Sequence, residues 1–205
     1  MRTSPFRRLA AAVLIWVGSF LVVNLSAADV VAAGQERTTV KPRPGDEAAF
    51  KEFETRVNEY ATMQKKLAGK LTKLPQEATP QEIDKHERAL AALVENARRT
   101  ARLGDIFTPA VQVIVRRELG RIFKGPEGKQ LIASIMDENP APPTLRVNAR
   151  YPDTVPMSTM PPEVLAVLPP LPKELNYRFI GDRLILLDTN AHIVVDYVDK
   201  AVPLK

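Results

Sequence analysis

The chain has no cysteine, two histidines, one tryptophan and, beyond its first 28 residues, only two serines, Ser134 and Ser158. Each scarcity removes a chemistry. Without thiols there is no disulfide framework, no thiolate nucleophile and no cysteine-held zinc, so stability must come from a packed core. Two histidines fall short of the three or four side-chain ligands of a transition-metal site unless carboxylates complete it. Neither serine stands in G-x-S-x-G or beside a glycine-rich turn that would form an oxyanion hole. No phosphate-cradling loop and no H-E-x-x-H occurs. The expectation is therefore a protein that is not an enzyme and holds no cofactor and no metal. Paired carboxylates of the glycosidase kind need no local motif, and Asp137-Glu138 is the acidic pair that such a hydrolase would use.

What is present begins with an address. Arg2, Arg7 and Arg8 precede the uncharged run Leu9 to Leu25, "LAAAVLIWVGSFLVVNL", and small residues follow at Ser26, Ala28 and Ala33. A basic start, an apolar run and A-x-A-like sites make residues 1–28 a signal peptide, cleaved near Ala28 or before Gly34. The alternative is an uncleaved anchor, because a bilayer span needs about 17 to 25 apolar residues and this run is at the short end. The protein is accordingly expected in the periplasm or outside the cell, or else held at the inner membrane by its N-terminal helix. Residues 29–45 form a linker ending in "KPRPG".

The formal charge of +5 comes from 29 basic and 24 acidic residues, and three of the basic ones belong to the opening segment. What remains is nearly balanced but uneven. Arg98, Arg99, Arg102, Arg116, Arg117, Arg121 and Lys124 face only Asp105 and Glu118 over the same stretch. The six arginines are the candidate patch for an anionic partner, whether lipid headgroups, a cell-wall polymer or an acidic envelope protein. The simpler role for such a run is a solvated helix face. Nucleic acid does not suit an exported chain.

Residues 46–138 read as a helical region of four helices. Phe50, Phe53, Val57, Tyr60, Leu67, Leu71 and Leu74 recur at helical spacing, interrupted only by Gln64. Thr79, Pro80 and Glu82 then form a capping-box start for a second helix reaching about Arg102, with Ile83, His86, Leu90, Leu93, Ala97 and Ala101 on one face. The short connection makes an antiparallel helical hairpin. Asp84/Arg88 and Glu95/Arg99 are expected i,i+4 pairs on it. A third helix starts at Thr108-Pro109 with Val111, Ile114, Val115, Leu119 and Ile122 inward, and a short fourth spans Glu127 to Met136.

Ten of the 18 prolines lie between Pro140 and Pro172, so residues 139–174 make a connector with no long helix. It has room for one half-buried strand, Leu145 to Tyr151, and a two-turn helix in "PPEVLAVLPP". Residues 175–205 alternate as an antiparallel β-meander, with strands Asn176–Ile180, Leu184–Asp188 and His192–Val198 turning at Gly181-Asp182 and at Thr189-Asn190-Ala191. Strict alternation puts Ile193, Val195 and Tyr197 on one face and Val194, Asp196 and Val198 on the other. The fold class is α+β.

Asp188 and His192 flank the last turn, with Asp182, Asp196 and Asp199 as further oxygen donors, so a metal at the tip of the meander is the alternative function. The pleat keeps these groups from converging, and His192 is expected to be structural. His86, with Glu82 one turn before it, is expected as a half-buried interface side chain.

The order "GDIFTP … RRELGRIFKGPEG … IMDENP … LRVNARYP … STMPPEVLAVLPPLPKELNYRFIGDRLILLDTNAHIVVDYV" resembles a group of uncharacterised exported bacterial proteins over most of the chain after Gly45. The last 25 residues alone resemble the β-meander of the periplasmic nickel/cobalt-homeostasis family. The first resemblance implies export, and the second implies metal handling without supplying its ligands. The function expected is a non-catalytic interaction or structural module of the envelope, with a metal-homeostasis protein and a carboxylate hydrolase behind it.

Overall fold

A computed structural model describes residues 43–138 and 142–204. The signal or anchor segment and nearly all of the linker lie outside those residues. Among the described residues no helix is long and apolar enough to cross a membrane. The helices are α1 (Glu47–Ala68), α2 (Pro80–Ala97), α3 (Pro109–Phe123), α4 (Gly128–Glu138) and α5 (Pro162–Val167), and the strands are β1 (Ala149–Arg150), β2 (Leu175–Ile180), β3 (Arg183–Asp188) and β4 (Ile193–Val198). The class is α+β, and the C-terminal meander is present, antiparallel in the order β1-β4-β3-β2.

The sequence explains where the helices start. Thr79 Oγ1 accepts from the Glu82 N–H while the Glu82 carboxylate accepts from the Thr79 N–H, so both arms of the capping box form ahead of Pro80. Where they stop differs from expectation. Helix α1 ends at Ala68 and leaves Leu74 exposed, and α2 ends at Ala97 rather than Arg102. The inward face of α2 is Leu90, Ala91 and Val94, whereas Ile83 is exposed because the first turns of α2 stand clear of the core.

Helices and sheet share one apolar core. Phe53, Val57, Tyr60, Leu90, Val94, Phe107, Val115, Leu119 and Phe123 from the helical side pack with Tyr177, Phe179, Leu184, Leu186, Ile193, Val195 and Val198 from the sheet. Phe107 stacks on Phe53 with ring centroids 5.3 Å apart and leans on Tyr177 at 6.4 Å. The opposite face of the sheet carries a second cluster, Ile180, Ile185, Leu187 and Val194, covered by Leu145 and Tyr151 of the connector. The connector thus serves both faces of the sheet: Leu145, Tyr151 and Val155 cover the far side, while Met160, Val164 and Leu168 pack into the helical-side core.

Two departures from regular strand geometry shape the sheet. The expected strand 145–151 shrinks to two residues because Asn148 takes φ 60°, a left-handed conformation that asparagine tolerates better than most residues. Its side-chain amide then donates to the carbonyls of Glu95 and Arg98, closing the C-terminus of α2. The second departure lies in β4. Leu186 pairs with Asp196 but Leu187 pairs with Val194, so Val195 is the extra residue of a β-bulge. The bulge shifts the alternation by one. Asp196 and Val198 join Ile193 and Val195 on the helical side, and Val194 and Tyr197 face the connector, which corrects the alternation expected from sequence.

Glycine substitutions test this packing in opposite directions. A β-carbon on Gly128 would overlap the Phe123 carbonyl, with no flexible side chain available to yield, whereas one on Gly120 in α3 meets nothing within 4 Å. Gly128→Ala should destabilise by about 3 kcal/mol or more through backbone overlap. Gly120→Ala should stabilise by about 0.5–1 kcal/mol, the gain of alanine over glycine within a helix. Urea denaturation midpoints compared with the parent chain read both signs.

Candidate functional site

Asp196 is fully buried, and the bulge aims it at the loop between α2 and α3. One carboxylate oxygen accepts from the N–H groups of Ile106 and Phe107, both at 2.8 Å, and the other accepts from Gly104 at 3.1 Å and Tyr197 at 2.9 Å. Burial pushes this carboxyl up from its ordinary value, against the pull of the four donors. Its partners lie in a loop whose turn is tight. The Asp105 N–H donates to the Arg102 carbonyl, Gly104 takes φ 91°, and the Asp105 carboxylate accepts from the Arg102 N–H. Leu103 stands at the tip of that turn, 49% exposed.

Asp188 is the second buried carboxylate. It accepts from the Asn190 and Ala191 N–H groups as an Asx turn and from Tyr60 Oη at 2.7 Å, with Gln64 Nε2 at 3.5 Å. Gln64, the polar break in the α1 stripe, is buried beside its partner. Burial raises the Asp188 carboxyl, and burial followed by the Asp188 charge raises the Tyr60 hydroxyl. The Arg98 guanidinium lies 5.2 Å from the Tyr60 ring centroid and donates to the Val195 carbonyl at 3.1 Å. Burial lowers its pKa, with the nearby acids opposing. Tyr60, Arg98, Arg56, Glu59, Met63, Asp105 and Ile106 border an open groove of about 370 Å³.

His192 lies elsewhere. It takes φ 54°, so the left-handed turn residue is His192 and not Asn190, and its ring meets Tyr151 edge-on at 5.3 Å. Tyr151 belongs to the connector side and Tyr60 to the helical side, so His192 and Asp188 point to opposite faces of the sheet. Asp199 pairs with Arg183 at 2.9 Å. Among the described residues no group of three or more His, Asp or Glu is placed to hold a metal. His86 is half-buried on α2. Of the acidic pair, Asp137 is exposed and Glu138 accepts from the Thr159 N–H at 3.1 Å.

The six candidate arginines divide into two kinds. Arg98 is committed to Tyr60 and Val195, Arg116 donates to the Asp199 carbonyl and Gln112, Arg117 pairs with Asp46 and Glu118, and Arg121 pairs with Glu118. Arg99 and Arg102 are exposed and have no side-chain partner among the described residues. The expected Glu95/Arg99 pair does not form, while Asp84/Arg88 does at 2.8 Å. The fastened loop itself escaped the sequence reading, whose only signal for it was Gly104 before an acidic residue.

The outer edge of β2 is occupied as well. Ser158 Oγ bonds both the N–H and the carbonyl of Phe179, and the Leu175 N–H donates to Pro172. Comparison of the chain with protein-family models, curated proteins and solved structures gives no match.

The two buried carboxylates should respond differently to the same substitution. Asp196→Asn places an amide group against the two donors of Ile106 and Phe107 or of Gly104 and Tyr197, so it should cost about 3 kcal/mol or more. Asp188→Asn keeps the oxygen for Asn190 and Ala191 and lets the new amide donate to Tyr60 Oη, so it should cost about 1 kcal/mol. Equilibrium denaturation at neutral pH gives both values.

Proposed function

We propose that the chain is a non-catalytic module of the bacterial envelope that engages an anionic partner through the loop between α2 and α3. The observation that carries this reading is the pair Arg99 and Arg102, exposed and without side-chain partners among the described residues, on a loop fastened to the sheet by Asp196. A cation already held by a carboxylate within the fold offers little to a partner, so Arg117 and Arg121 add less. A loop ordered in advance also binds without a large entropic cost. The basic start and apolar run of the N-terminal segment, together with the resemblance to exported bacterial proteins, support the envelope as the setting.

The alternative of a metal protein has less behind it, because Asp188 and His192 diverge and the Asp188 oxygens are engaged by Tyr60 and two amides. The hydrolase reading needs two carboxylates facing a common space, and Asp137 and Glu138 offer no such arrangement.

Retention on heparin-agarose tests the proposal. Arg99→Glu/Arg102→Glu and Lys73→Glu/Lys85→Glu change the net charge equally, and Lys73 and Lys85 are exposed elsewhere on the helical layer. The arginine pair should elute at clearly lower salt than the lysine pair. Equal elution of the two variants would mean that total charge, and not this loop, governs the binding.

A further inference from the structure

Among the exposed large apolar side chains of the described residues, Leu103 is set apart by its place on the fastened loop beside the exposed Arg102. It is 49% exposed at the tip of the Arg102–Asp105 turn, a few residues from Arg99 and next to Arg102. The turn cannot swing it inward. Gly104, Ile106 and Phe107 are tied to Asp196, and Arg102 is tied to Asp105, so the leucine is held outward by hydrogen bonds on both sides. An exposed aliphatic side chain on a fastened turn, next to Arg102 and four residues after Arg99, neither arginine having a side-chain partner among the described residues, combines two affinities on one short loop.

We infer that this tip is a membrane-contact element, with Leu103 entering the interfacial region of a bilayer while Arg99 and Arg102 bind anionic lipid headgroups. The inference rests on the proposed function and names the partner. A soluble polyanion would be recognised by the two cations alone and would leave Leu103 in water. A protein partner would be expected to meet a flat or concave surface with aromatic anchors, whereas this tip is a single turn carrying one leucine. A lipid surface rewards both features at once, since headgroup phosphates attract guanidinium groups and the acyl boundary takes the side chain. The Leu9–Leu25 run, read as a signal or anchor, brings the chain to a bilayer at least during export.

The absence of cysteine makes a direct test clean. Leu103→Cys gives the full chain a single thiol for an environment-sensitive fluorophore, and Leu165→Cys, at another exposed position, gives the control label. With vesicles of phosphatidylglycerol the label at 103 should shift to the blue and brighten, with vesicles of phosphatidylcholine it should not, and the label at 165 should be silent in both. Adding Arg99→Glu/Arg102→Glu should weaken the response at 103 at least about tenfold, from the loss of two cations at an anionic surface. An unchanged emission at 103 with phosphatidylglycerol, or an equal change with both lipids, overturns the inference. If emission stays unchanged while the arginine pair still controls retention on heparin-agarose, the lipid assignment fails and the anionic-partner reading survives. If neither responds, both fail.

Discussion

Asp196 bound to four backbone N–H groups is the contact on which the surface of this protein depends. A carboxylate inside an apolar core is costly unless its oxygens are satisfied, and here each oxygen takes two donors. Three of those donors come from the stretch joining α2 to α3, so the charge that would be a liability becomes a fastening between layers. Phe107, carried by the same stretch, fills the space between Phe53 and Tyr177. The outward turn at Leu103 and the placement of Arg99 and Arg102 follow from that attachment.

The bulge at Val195 makes the attachment geometrically available. In an unbroken strand Asp196 would share a face with Val194, against Leu145 and Tyr151, with none of the loop's amides in reach. One extra residue turns it to the helical side without shifting the pairing of β2 with β3. Arg98 caps the same region by taking the Val195 carbonyl, and Ser158 and Pro172 occupy the far edge of the sheet. The strand backbone at these points has partners within the fold.

The elements that local chemistry controls were legible in the sequence. The capping box at Thr79 and Glu82, the proline starts of α2 and α3, and the two tight turns of the meander all depend on residues within a few positions of each other. What escaped reading depends on distant parts of the chain. Alternation along Ile193 to Val198 contains no sign of a bulge, because the residue that the bulge turns inward, Asp196, is held by a loop ninety positions away in the chain. The alternation of Leu145 to Tyr151 hides the left-handed turn at Asn148, which is favoured by the open C-terminus of α2. Gln64 looked like a defect in an apolar stripe until Asp188 stood opposite it. The basic run from Arg98 to Arg121 was visible as composition, but which arginines are spent inside the fold depends on carboxylates and carbonyls that only tertiary structure brings near.

The most direct test of the Asp196 fastening is native-state amide hydrogen exchange at Ile106 and Phe107. Both residues precede α3 and belong to no helix or strand, so an unattached loop would exchange them rapidly, with opening free energies near zero. Bonded to a buried carboxylate, they are predicted to exchange only through large-scale opening, with protection comparable to the amides of β3. Fast exchange at Ile106 and Phe107 beside a protected β3 would contradict the account.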